Sequence, residues 1–387
     1  MKALVDQGRF ALLPAMQLIG LLTIAVGGPW LWLGGALLLG FNLLLDDVGA
    51  DYLEIVESPS RAYLDAMLYA SVPLVVLLTA GLLFYTASPG TIMADLASGF
   101  GIVRQGAAWW VDSAGLVFSV GVLGGFAAGS FAHELLHRPT RGEWLMSQSL
   151  LARCLHAAFA LEHIHGHHVG VGTPHDISTA PRGLGFWRYL PRTYVGAIRG
   201  AARIEADRMR RMGLPWYAPR NRFLQGVLLE LAMLVAVAIV AGRAGLGAYL
   251  ITAAIGVLII ELGNYVAHYG LVRASGRPVL PRHSWNAPRF FSSSVMVNAP
   301  RHSHHHRSAT TRYWDLAVLD GGAIYPYGTA VMSVIALVPP LWFRVMQPHL
   351  DDWDARQASS EELEIIRRSA DAGRVRAPRG APMPGQR

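Results

Sequence analysis

Long unbroken apolar runs, rather than an alternation of apolar and polar positions, dominate this chain. Crossing about 30 Å of hydrocarbon takes roughly 20 apolar residues in a helix, and four stretches meet that length: 64–86, 109–132, 223–242 and 246–267. The first 46 residues hold two more, FALLPAMQLIGLLTIAVGG and WLWLGGALLLGFNLLL, separated at Gly27-Gly28-Pro29 as a tight helical hairpin requires. Six transmembrane helices are therefore predicted. A seventh apolar piece, AIYPYGTAVMSVIALVPPLWF, carries Pro326 and the pair Pro339-Pro340, which predicts a half-buried or interfacial segment instead of a span. Residues 1–350 read as a single integral-membrane domain, and 351–387, polar and rich in Arg, Ala and Pro, as a disordered tail after a short helix. The basic N-terminus is not followed by a small-residue cleavage pattern, so the first helix is expected to stay. No internal repeat is visible.

Composition supports the same class. With 52% hydrophobic residues, 15% charged and a mean hydropathy of +0.33, the chain is too apolar for an ordinary soluble domain of its size. The formal charge of +7 is carried by arginine placed in loops, which is a topology signal and not a nucleic-acid footprint. Segment 138–222 holds about a dozen arginines, whereas 87–108 has only Arg104 and the turn 242–246 only Arg243. The termini and long loops are accordingly expected on the cytoplasmic side of a bacterial inner membrane. The single cysteine, Cys154, excludes an intramolecular disulfide and a cysteine-rich metal site, and reads as a small buried residue.

Metal chemistry must then use histidine and carboxylate. Of 15 histidines, nine fall into four compact groups: His133 and His137 in HELLH, His163, His167 and His168 in EHIHGHH, His268 in NYVAHYG, and His302, His305 and His306 in RHSHHH. Residues i and i+4 share a helix face, so His133 with His137, and His163 with His167, can each aim two imidazoles at one place. The predicted topology puts all four groups on one membrane face. Since one ion accepts about four to six donors, nine converging histidines imply two metals. HExxH alone would suggest a zinc protease with Glu134 as general base, but that leaves most of the histidines without a role, and no aspartate-bearing N-x-D-G setting occurs in 223–267. A metal transporter would need ligands near the bilayer midplane, and the spans carry no polar path. His156, His165, His175, His283, His304 and His349 fit the spacing less well, with His156 a candidate to support a ligand. Asp46 and Asp47 are expected to cap the segment that follows.

HELLHR, EHIHGHH followed by TPHD, NYVAHYGL, SWN at 284–286 and RHSHHH ahead of TRY resemble the integral-membrane alkane monooxygenases of the desaturase and hydroxylase superfamily. Segments 185–213 and 337–348 extend the likeness to roughly residues 10–350. The resemblance implies an all-α polytopic protein with a cytoplasmic histidine-rich cap, a non-haem diiron centre (two Fe ions) on the nine histidines, and O2-dependent hydroxylation of a terminal C–H bond in an alkane or alkyl chain. It also implies electrons from rubredoxin, reduced by an NAD(P)H-dependent rubredoxin reductase; this chain has no CxxC pair, so any rubredoxin is expected to be a separate protein. Beside the ligands, Glu134, Glu162, Asn264 and Trp285 are candidates to orient imidazoles or relay protons, and Gly121, Gly124, Gly125, Ala127, Ala128 and Gly129 could leave room for substrate or simply allow close packing. Membrane lipid is an expected partner and nucleic acid is not. The family commonly has glutamate at Ala267 and aspartate at His304; both departures remove carboxylates next to ligands and open the alternatives of fatty-acyl or methyl-aromatic hydroxylation, or desaturation.

Overall fold

The computed structural model of the protein describes residues 2–48, 51–57, 59–101 and 106–371. Four apolar helices come first: α1 (Val5–Val26), α2 (Gly28–Leu45), α3 (Arg61–Thr86) and α4 (Ala108–Leu136). Polar and mixed helices follow, α5 (Arg141–Arg153), α6 (residues 158–170) and α7 (Phe186–Arg211), before the apolar α8 (Arg222–His268). The chain ends in α9 (His302–Arg307), α10 (Thr329–Ala336), α11 (Pro339–Arg356) and α12 (Ser360–Asp371). Among the described residues the strands are two short parallel pieces, Trp285–Asn286 and Ala323–Ile324.

By length and composition five helices suit a membrane crossing, where the hydropathy pattern predicts six. The difference lies in α8. Its 47 residues are broken at Gly242 (φ 67°, ψ −165°), and the Tyr249 hydroxyl reaches Met233 Sδ at 3.8 Å. Sixteen residues apart on a straight helix, those groups would stand about 24 Å from each other. The chain therefore doubles back at Gly242, and the apolar stretches 223–242 and 246–267 lie side by side. Only glycine adopts this backbone conformation readily, and a Cβ here would also meet Ser88 Cβ and Oγ at 2.8 Å.

Leucines such as Leu13, Leu31, Leu64, Leu78, Leu82 and Leu123 fill the space between the first four helices. The small residues of α4 let α5 and α8 come close: a Cβ at Gly121 would strike Ile255, at Gly125 Ile259, and at Gly124 the Arg153 guanidinium. Close packing thus explains these three glycines. Cys154 is buried against Gly256.

Long-range polar clamps join the first helices to the C-terminal third. Asp46 accepts the Ser292 N–H (3.0 Å), and Asp47 accepts the Gly328 N–H (2.8 and 3.0 Å) at the start of α10, so both act as caps, though for helices distant in sequence. Arg301, fully buried, donates to the carbonyls of Leu316, Tyr52 and Glu54. The apolar piece 323–343 is divided into a strand, α10 and the beginning of α11, with Pro339 opening α11. A disordered tail from residue 351 does not describe residues 351–371: α11 runs on to Arg356 and α12 buries Glu362 and Ile366. The remainder of that tail, 372–387, lies outside the described residues.

Replacing Gly242 with alanine should destabilise the fold by about 1–3 kcal/mol, the cost of a side chain in this region of backbone space. Thermal unfolding of the detergent-solubilised protein measures it; an unchanged midpoint would show that the turn does not need glycine.

Candidate metal centre

One of the four histidine groups sits on a π-helical turn and another follows one. At the end of α4, Ala127–Phe131 forms such a turn, with the Ala132 N–H donating to the Ala127 carbonyl, immediately before His133. In α6, His163–His167 forms another, and the His168 N–H donates to the His163 carbonyl. A π-turn brings residue i+5 round over residue i. His163 consequently clusters with His168, and His167, its expected i+4 partner, turns to a different group.

The nine histidines come together in two sets. His133, His137, His163, His168 and His305 form one, and His167, His268, His302 and His306 the other, with donor atoms in each set within 4.8 Å of one another. The adjacent pairs 167/168 and 305/306 each give one imidazole to each set, and the rings of His168 and His306 are 4.5 Å apart across the divide. In the first set, Nε2 distances are 2.9 Å for His133–His163 and 3.0 Å for both His163–His168 and His168–His305. In the second, the Nε2 atoms of His268, His302 and His306 stand 3.0 Å apart pairwise. With metal–nitrogen bonds of about 2.1 Å, right-angled donors are about 3.0 Å apart and tetrahedral ones about 3.4 Å. The spacing suits an ion of coordination number five or six.

Tautomers decide whether protons alone could fill these gaps. His268 donates from Nδ1 to the His283 carbonyl (3.2 Å), His302 from Nδ1 to the Ala299 carbonyl (3.3 Å), and His167 from Nδ1 to Asp176 Oδ2 (2.9 Å). Each neutral ring then has only a lone pair at Nε2. The Nε2 atoms of His268 and His302 thus face one another as two acceptors, and those of His137 and His167 are buried without a partner. Such an arrangement suits a bound cation. Burial first, and neighbouring imidazoles second, hold His163, His168, His305 and His306 well below the ordinary histidine pKa, and burial followed by His167 holds His302 at about 3. Neutral imidazole is the form that binds iron, copper, nickel and zinc.

The other expected residues divide. Glu134 accepts from Arg138 Nε and Nη2 (both 3.1 Å), and Arg138 also pairs with Asp65 and Glu143. This carboxylate braces α4 against α5 and is bonded to no imidazole among the described residues. Glu162 accepts from Ser178 Oγ (3.4 Å), and burial pushes it up to about 7, against the pull of His167 and aided by Asp176 and Glu261. Asn264 donates to Glu261 (3.2 Å), and Trp285 donates to the Tyr269 carbonyl and stacks on Tyr325. His304 accepts the Ala317 N–H at Nδ1 (2.9 Å) and belongs to neither set. His165 and His175 are exposed and His349 is half-buried.

Three supporting groups are not apparent from the sequence pattern. Asp176, the aspartate of TPHD, holds His167; Glu261 pairs with His156 at 2.7 Å; and His283 offers its carbonyl to His268. No fixed spacing relates any of them to the ring it serves, so only TPHD's place after HGHH could have pointed to one.

A cavity of about 60 Å3 adjoins both sets, touching His133 and His302 and otherwise lined by residues such as Gly129, Phe159, Gly263, Ala267 and Tyr325, with Asn264 and Trp285 also in its wall. Its volume is less than half of the ~150 Å3 that admits a benzene ring, which sizes it for the end of a substrate. Of the small residues singled out on α4, Gly129 is the one in this lining.

Comparison with known proteins places these features in context. Residues 107–334, which contain all nine histidines, match the fatty acid desaturase family. The chain is 38% identical to alkane 1-monooxygenase 1 of Pseudomonas aeruginosa over 244 residues, 62% of this chain and 64% of that protein, so it spans slightly less than two thirds of that relative. It is 33% identical to alkane 1-monooxygenase 2 of the same species over 332 residues, 82% and 84% of the two chains. It is 31% identical to the xylene/toluene monooxygenase hydroxylase component XylM of Pseudomonas putida over 368 residues, 93% and 94%.

Asp176→Asn should lower affinity for a metal ion at the four-histidine set about 10–100-fold, the usual effect of losing the group that orients a ligand. Competition with a chelator reads this directly, and unchanged affinity would remove Asp176 from that role.

Proposed function

Because the chain belongs to the alkane monooxygenase family of the membrane desaturase and hydroxylase superfamily, we propose that it is a membrane monooxygenase that hydroxylates a terminal C–H bond of an alkane or alkyl chain. The observation that carries this reading is the pair of histidine sets sharing one apolar cavity. Two iron ions would be held, one by His133, His137, His163, His168 and His305 and one by His167, His268, His302 and His306. An unactivated C–H bond gives acid–base groups nothing to work on, and the bound iron pair supplies the oxygen-activating redox chemistry.

The balance is RH + O2 + 2 e− + 2 H+ → ROH + H2O. No cysteine pair in the chain can hold a second redox centre, so the electrons come from a separate donor, which we take to be rubredoxin reduced by its NAD(P)H-dependent reductase. The chain's own residues do the positioning. Asp176 keeps the His167 proton on Nδ1, and the His283 and Ala299 carbonyls do the same for His268 and His302. Phe159, Ile260 and Met296 present an apolar wall to the substrate end, while Asn264, held by Glu261, and Trp285, stacked on Tyr325, set its polar and aromatic edges. Glu162, buried and close enough to His167 for charge interaction, is the candidate to hold a proton beside the second set. We further read the fold as six spans, α8 counting as two, in the bacterial inner membrane with both termini and the histidine cap cytoplasmic, as the arginine distribution directs.

A second reading, hydroxylation of a methyl group on an aromatic ring, is favoured by one observation: the alignment with XylM covers 93% of this chain, more than the alignments with the two alkane monooxygenases of Pseudomonas aeruginosa. The aromatic residues Phe159, Trp285 and Tyr325 around the cavity suit either substrate. Ala267 lines this cavity where the family commonly has glutamate, leaving more apolar room beside His268.

Purified protein should contain two irons per chain with the Mössbauer signature of a coupled pair, and whole cells supplied with a rubredoxin system should oxidise members of a panel of alkanes and methylarenes. His268→Ala should abolish turnover and reduce the iron content. Zinc in place of iron, or turnover retained without His268, would defeat the proposal. A Cβ at Gly263 would meet nothing within 4 Å, so Gly263→Leu should fold and keep its iron while lowering kcat/KM roughly tenfold or more by filling the cavity; unchanged kinetics would place the substrate elsewhere.

A further inference from the structure

The segment between His268 and α9 supports the four-histidine set from outside, and it is itself gripped by the C-terminal helix. The His283 carbonyl receives the His268 Nδ1–H (3.2 Å), and three residues on, Asn286 Oδ1 accepts both the N–H and the hydroxyl of Ser303 (3.0 Å each), next to His302. One candidate ligand, His268, is therefore aimed by residues 283–286, and the backbone beside a second, His302, is tied to them. What keeps that short piece in place comes from the far end of the chain. The Trp353 indole of α11 donates to the Arg282 carbonyl (2.8 Å). Glu362 of α12 accepts from His283 Nε2 (2.8 Å) and from Arg282 Nη2 (3.1 Å to Oε1).

His283 has no freedom left in this arrangement. Its Nδ1 accepts the Leu280 N–H (3.0 Å), so its proton is on Nε2 and is donated to Glu362. His283 and Glu362 are 1% and 2% exposed, and a ring deprived of its carboxylate would be left with an unsatisfied buried donor. The cheapest relief is rotation of the turn Pro281–His283, which carries the carbonyl that fixes His268. The same carboxylate also acts locally, because Glu362 Oε2 accepts the Ser359 N–H (2.7 Å) while Ser359 Oγ accepts the Glu362 N–H (3.3 Å), a reciprocal cap at the start of α12. These two roles can be separated by substitution.

We propose that Glu362 is a positioning residue for the four-histidine metal site, acting through His283 on the orientation of His268. The inference rests on the ligand assignment proposed above. It also gives α12, which lies beyond the family match ending at residue 334, a part in building the centre. Glu362 touches neither substrate nor reacting atoms; it fixes the direction of one lone pair.

The test measures iron affinity, not turnover, on the full-length protein in detergent, by chelator competition and by Mössbauer resolution of the two iron sites. Glu362→Asp keeps the charge but draws the carboxylate back by one methylene. It should lower the affinity of one iron 10–100-fold and leave the other unchanged. Glu362→Gln keeps the reach and an acceptor for His283, and should stay within about threefold of wild type. Ser359→Ala removes the cap and spares the link to His283, so it should also retain both irons. Wild-type affinity for both irons in Glu362→Asp overturns the proposal, as does an equal loss in Ser359→Ala, which would trace the effect to the helix end. A wild-type protein that binds no iron in two classes takes the ligand assignment down together with the inference.

Discussion

Neutral imidazoles whose lone pairs face one another at 3.0 Å repel unless a cation stands between them, and the cap is built around that repulsion. A lone pair has to be aimed, and a ring is aimed by its other nitrogen. For His167, His268 and His302 the second nitrogen is engaged by Asp176, the His283 carbonyl and the Ala299 carbonyl. Those partners are themselves fixed by others: Asp176 accepts from Thr179 Oγ1 (2.6 Å) and the Ser178 N–H (3.0 Å), and His283 is held by Glu362. Burial keeps His163, His168, His302, His305 and His306 neutral, and the interlocking segments keep them buried. The cap is therefore assembled from pieces of chain far apart in sequence, such as His168 with His305, 137 positions away.

The apolar helices matter to this centre because of where they end. His133 and His137 terminate α4 and His268 terminates α8, so two helices with lengths suited to a bilayer deliver imidazoles at the same level. Their close approach, permitted by Gly121, Gly125 and Gly256, opens into a small cavity at Gly129 and Gly263. Apart from His133 and His302, the lining of that cavity is apolar and aromatic save for Asn264 and Thr329.

The membrane class, the positions of the long apolar helices and the gathering of nine histidines were legible in the sequence because each depends on a local signal: a run of apolar residues, or imidazoles at helical spacing. The partition of those histidines was not. Pairing His163 with His167 assumes an α-helical turn, and the π-turn that sends His163 to His168 leaves no mark in EHIHGHH. Glu134 sits beside a ligand in sequence, yet its carboxylate goes to Arg138; Asp176 sits eight residues past His168 and binds His167. Adjacency in sequence says little about which way a side chain leaves a helix. The C-terminal segment departs from expectation for a related reason: its polarity suggests solvent, but Glu362 is buried because Arg282 and His283 meet it there.

A centre made only of imidazoles has an electrostatic consequence that carboxylate-ligated pairs avoid. In bundles that hold two metals with glutamates, the ligands themselves cancel part of the charge. Here every donor is an imidazole and none a carboxylate, so the ligands themselves would cancel none of the charge of a pair of bound cations, and the compensating anions must lie one layer out. The structure places them there. Asp176 is bonded to His167, and Glu162 and Glu261 both act on His167 electrostatically. The three carboxylates interact on the side of the four-histidine set, while Glu134 on the other side is bonded to Arg138, which it shares with Asp65 and Glu143. The two sets therefore differ in their surroundings: Glu134 beside the five-histidine set is bonded to an arginine and to no ring among the described residues, whereas Asp176 beside the four-histidine set is bonded directly to a ligand ring. That asymmetry comes from side chains two and three contacts away from the metal positions, and the adjacent pairs 167/168 and 305/306 couple the two halves through the backbone.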